Sequence, residues 1–234
     1  ITELKSYLKA KGAKGLDSIP ATAENWVEDL KKCISYISIC WKDDTINDSD
    51  ADDIFTTVAS AILSLPPQHL PEIVDLLCKE YEGFSGENIR KHFVMLLSLN
   101  VIFSGSPYNN KCKYKAYYAI LTCAAKRNTL QQVVTNSIKI SEWLDEIDAS
   151  VDERRELWRK LHEVHAACGD TRRANEFMIL LLSTYDEANA ATARCDAVRC
   201  IISVINDVAI LAHDKLLSIK PIQFLEGEPV HKVL

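Results

Sequence analysis

The sequence predicts an all-α protein, a right-handed array of antiparallel helical hairpins. Three observations carry this. Seven Gly and seven Pro in 234 residues are about half the share of average usage, and the many tight turns of a β-sandwich, barrel or propeller need both. Tyr108 to Lys220 contains no Pro and a single Gly, Gly169, so this stretch must be helix joined by very short turns. Apolar residues in every long segment recur with the 3.6-residue period of a helix, and none sustains a period of two. Short connections then make neighbouring helices antiparallel.

In chain order, Thr2 to Lys11 is a short helix closed by Gly12 and Gly15. Ala21 to Trp41 is a second, with Trp26, Leu30, Cys33 and Ile37 on one face. Lys42 to Asp53 (KDDTINDSDADD) reads as a solvated acidic loop, with Asp52 or Asp53 as cap of the next helix. Ile54 to Leu65 is apolar and stops at Pro66-Pro67. Gln68 to Tyr81 turns Leu70, Ile73, Leu76 and Leu77 inward and tolerates Pro71 in its first turn. Gly83 and Gly86 break the chain before Glu87 to Phe103, whose apolar positions are Ile89, Phe93, Leu96, Leu97 and Ile102. Gly105 and Pro107 break it again. Helices follow over Tyr108 to Lys126, Leu130 to Asp148, Asp152 to Cys168, Thr171 to Tyr185 and Ala190 to Asn206, with a shorter segment near His213 to Ser218.

One hairpin matches a repeat pattern. Trp158, Leu161, Gly169-Asp170, Ala174 and Met178 fall at the spacings of a tetratricopeptide repeat, with His162 and His165 where that pattern has Gly and Tyr. The array is therefore tetratricopeptide- or HEAT-like, a surface of large area without a deep pocket.

Net charge is −6 and the isoelectric point about 5.6, which argues against nucleic-acid binding except through a local concentration of cations. No apolar run approaches the ~18 residues of a membrane span, so no membrane partner is expected. The eight cysteines lie mostly inside apolar helical patterns of a sizeable chain with no visible signal peptide. They read as reduced, buried thiols of a cytosolic or nuclear protein.

The search for catalytic chemistry returns little. Neither Gly-x4-Gly-Lys-Ser/Thr nor Gly-x-Gly-x-x-Gly is present. His162, His165 and Cys168 are residue types that suit zinc, and they found the alternative reading of a metal-binding enzyme. However, steps of three fan them across about 120° of helix. The zincin pattern would also need a second His at position 166, which is Ala166. Cys195 and Cys200 have Arg194 and Arg199 beside them, but a spacing of five turns the two thiols apart. Asp43-Asp44 and Asp52-Asp53 sit among polar residues, with nothing to raise a carboxylate pKa. No catalytic residue, metal, cofactor or small-molecule substrate is expected.

The best nucleic-acid candidate is KCKYKAYY, where Lys111, Lys113 and Lys115 interleave with Tyr114, Tyr117 and Tyr118. At helical spacing the same tyrosines and Leu121 also form an ordinary core stripe. Arg154, Arg155, Arg159 and Lys160, followed by Arg172-Arg173, make a second basic patch that Glu153 and Glu156 dilute.

The C-terminal stretch differs in kind. Ala193 to Leu234 centres on Asp214, Leu216-Leu217, Lys220-Pro221-Ile222, Phe224-Leu225-Glu226-Gly227-Glu228 and His231. Ala193-Arg194, Asp196-Ala197 and Arg199-Cys200-Ile201 lead into it, and Leu4 to Ala13 (LKSYLKAKGA) adds to it. Together these resemble the PCI-domain family, as found in eukaryotic translation initiation factor 3. The resemblance implies a helical-repeat region over 1–189 leading at 190–234 into a PCI domain, whose winged helix is absent from this chain. It marks Leu216, Lys220, Pro221, Phe224, Leu225, Glu226 and Gly227 as structural or interface residues. It implies a cytoplasmic, non-catalytic scaffold with other PCI and MPN subunits as partners. Such a scaffold would support assembly of the PCI/MPN core and recruitment of the small ribosomal subunit and mRNA. A scaffold of another PCI complex, the signalosome or the proteasome lid, is the alternative. Ile201, Val204, Ile205, Val208 and Leu211 are the candidates for an uncovered apolar face where the stack is incomplete.

Overall fold

Helix ends explain how so glycine-poor a chain folds mainly into helix over its described residues. The computed structural model describes residues 1–13, 15–16, 26–43, 45–106, 110–205 and 216–231. Four of its helices close in the same way, with a left-handed residue followed by an N–H that reaches back five residues. The left-handed residues are Gly12 (φ 100°), Asn128 (φ 53°), Asp148 (φ 49°) and Gly169 (φ 77°). The closing bonds, each 3.0 Å, run from Ala13 to Leu8, Thr129 to Ala124, Ala149 to Leu144 and Asp170 to His165. Asn and Asp tolerate the left-handed region better than other side chains, and here they replace glycine at two of the four ends.

The described residues contain helix and no strand, as the spacing predicts. None of their helices is long and apolar enough to cross a membrane. The chain divides into two compact units, Ile1–Thr129 and Leu130–Leu234.

The first unit contains α1 (Thr2–Ala10), α2 (Trp26–Ser35), α3 (Ile39–Lys42), α4 (Asp48–Leu63), α5 (Leu70–Glu82), α6 (Ile89–Gly105) and α7 (Asn110–Lys126). α6 lies between α4 and α7, and α5 packs on α7 and α2. An aromatic cluster holds these together: Trp41, Phe55, Tyr81, Phe84 and His92 meet ring to ring at centroid distances of 5.2 to 6.5 Å. Gly86 lets the chain pass Trp41 closely, since a Cβ there would fall 2.9 Å from the Trp41 Cβ. Two expectations change. The helix read over 21–41 is broken by a turn between α2 and α3, and its residues 21–25 lie outside the described residues. The acidic run is largely helical, because α4 starts at Asp48 with Asn47, rather than Asp52 or Asp53, as its cap. The Asn47 side chain accepts from Asp50 N–H at 2.8 Å, and negative charge is favourable at a helix N-terminus.

The second unit contains a 3-10 turn (Leu130–Gln132), α8 (Ser137–Glu146), α9 (Val151–Ala167), α10 (Thr171–Leu182), a 3-10 turn (Ala190–Ala193), α11 (Arg194–Ile205), a 3-10 turn (Leu216–Ser218) and α12 (Lys220–Gln223). The single helices read over 130–148 and 190–206 are each a 3-10 turn followed by an α-helix. Asn136 caps α8 by accepting from Lys139 N–H at 3.0 Å. A reciprocal capping box between Ser150 and Glu153 starts α9. α9 and α10 form the repeat-like hairpin. Trp158, Leu161, Ala174 and Met178 are all buried in it, and the Trp158 and Phe177 rings stack at 5.8 Å.

All eight cysteines carry thiols, six of them buried; Cys168 and Cys195 are exposed. Burial pushes Cys33 and Cys112 up to about 11, and Cys40 and Cys200 up to about 12. At neutral pH they are protonated and poor nucleophiles.

Candidate interaction site

The C-terminal signature folds into a small knot. Leu216, Ile219, Pro221, Ile222 and Leu225 are buried as α12 packs on α11 and on the turns at 190–193 and 216–218. Gly227 follows at φ 92°, where a side chain would be strained. Two ion pairs fasten the knot. Lys220 Nζ reaches Glu187 Oε1 at 2.8 Å and holds that carboxyl below the usual carboxylate range. Arg194 grips Glu228 with both arms, Nε to Oε1 at 3.1 Å and Nη2 to Oε2 at 2.7 Å. The signature thus sorts into two sets. Leu216, Pro221 and Leu225 build the knot, while Phe224 and the neighbouring Leu217 are 52% and 55% exposed.

This knot corrects the expected uncovered face on α11. Ile201 and Val204 are fully buried, because α10 and α12 both pack on α11. The outward apolar residue is Ile202, 52% exposed. Val208, Leu211, His213 and Asp214 lie outside the described residues, as do Asp44, Pro107 and Tyr108.

The three candidate lysines of α7 diverge. Lys115 Nζ lies 2.5 Å from Asp75 Oδ1, and Lys79 takes the other oxygen at 2.8 Å. The two ammonium groups keep the Asp75 carboxyl below its usual range. Lys113 Nζ sits 5.3 Å over the Phe103 ring, and Lys111 is exposed. Tyr114, Tyr117 and Leu121 are buried, which is the core stripe. In the second basic patch, three arginines have local partners. Arg154 pairs with Asp145 at 2.7 Å and Arg159 with Asp196 at 3.0 Å. Arg155 stacks over Tyr185 and donates to the Thr184 carbonyl at 2.9 Å.

His162, His165 and Cys168 do not converge. His162 Nδ1 is 2.9 Å from the Ala174 carbonyl oxygen, which can only accept, so this nitrogen carries the proton. His165 fills the aromatic slot of the repeat, 2% exposed and ring to ring with Phe177 at 5.4 Å. Its Nδ1 comes within 3.3 Å of Asp170 Oδ2, out of line for a hydrogen bond. Burial lowers its pKa and keeps it neutral. Cys168 is exposed. Among the described residues no three His, Cys, Asp or Glu side chains are grouped as a metal site.

One surface corrects the periodicity reading, which grouped Ile89, Phe93 and Leu97 with Leu96 and Ile102. Ile89, Phe93, Leu97 and Val101, four residues apart along α6, are 70%, 42%, 46% and 46% exposed. The buried side of the same helix is Met95, Leu96, Leu99 and Ile102. A signal was present in the charge pattern: the sequence contains no Asp or Glu between Glu87 and Glu142.

No family model matches the chain. Over 231 residues it is 46% identical to eukaryotic translation initiation factor 3 subunit M of Schistosoma japonicum, covering 99% of this chain and 60% of that protein. Subunit M of Gallus gallus is 32% identical and that of Homo sapiens 31%, each over 234 residues, with 99% of this chain and 60% of the relative covered. The chain therefore spans about 60% of the length of the curated relatives it matches. Over nearly its whole length, this all-helical chain is thus similar to eukaryotic translation initiation factor 3 subunit M.

Proposed function

We propose that the chain serves as a non-catalytic scaffold within the cytoplasmic initiation factor 3 assembly. There it would hold PCI and MPN subunits together and so support recruitment of the small ribosomal subunit and mRNA. The observation that carries this reading is the 46% identity over 99% of the chain to a protein named as a subunit of that factor. The chemistry agrees. Buried thiols with raised pKa, a neutral packed His165 and arginines committed to local ion pairs are materials of a framework. Residues 190–234 are the start of the PCI domain in this reading, with Phe224 and Leu217 turned outward for a neighbour and Leu216, Pro221 and Leu225 holding the knot.

The test is purification of the full-length protein from cell extract, with its companions identified by mass spectrometry. Initiation-factor subunits and small ribosomal subunits are expected. Recovery of proteasome-lid or signalosome subunits in their place overturns the reading in favour of another PCI scaffold.

A further inference from the structure

We draw no further inference here: the strongest candidate, the exposed apolar face of α6 formed by Ile89, Phe93, Leu97 and Val101, carries none, because nothing in the structure shows what covers it.

Discussion

α6 and α9 are each seventeen residues long, and they meet water in different ways. α9 starts with a capping box, ends on Gly169 and lines its solvent side with charge. Its arginines are tied to Asp145, Thr184 and Asp196. α6 carries apolar residues on both sides, the inner set packed against α4 and α7, the outer set exposed. Both show the 3.6-residue period, so periodicity establishes that each is a helix and leaves its use open. The outward residues differ: self-contained charge on α9, an exposed apolar ridge on α6.

The largest effect should come from the inner side of α6. Leu99 is fully buried, and Leu99→Ala is expected to cost about 2–5 kcal/mol in urea unfolding. A loss near zero would mean that the two sides of α6 are assigned the wrong way round. Next comes the cap that makes α9 self-sufficient. Ser150→Ala removes the acceptor of Glu153 N–H and should cost about 1 kcal/mol, with faster amide exchange in the first turn of α9.

A third experiment probes what the two helices share. Each buries a histidine, His92 on α6 and His165 on α9, and burial lowers both pKa values below the ordinary 6.5. The unfolded chain therefore takes up protons first as pH falls. The stability these neutral rings permit is complete above about pH 6.5 and is lost as pH drops through the lowered values. Melting temperature should fall as pH drops below about 6.5, and His165→Gln should flatten that slope. An unchanged slope would remove His165 as a contributor. The smallest effect is the most discriminating. Leu97→Ser, two residues from Leu99 on the exposed side, should change stability by no more than about 0.5 kcal/mol. A loss comparable to Leu99→Ala would show that the ridge is core.

Much of the fold is legible in the sequence, because hairpin packing imposes a period. The α9–α10 pair, with Trp158, Leu161, Ala174 and Met178 inward, is read from spacing alone. The start of α4 is not. Its acidic residues resemble a solvated loop until their position at a positive helix end is known. The ends at Asn128 and Asp148 hide for a similar reason, since neither residue announces a left-handed turn as glycine does. The signature residues are legible as a set, but only packing separates buried Leu225 from exposed Phe224. The ridge on α6 is least legible. A helix apolar all round gives no sequence rule for which side a neighbour in the same chain will cover.

The cysteines are unevenly placed, and this gives the protein a built-in clock. Cys168 and Cys195 are exposed in the second unit, while five of the six buried thiols belong to the first and Cys200 to the second. An alkylating reagent added to the native protein meets two sulfurs at once and the rest only when the chain opens. Following Cys78 and Cys200 by mass spectrometry therefore times the breathing of each unit separately, in one tube and without a single substitution.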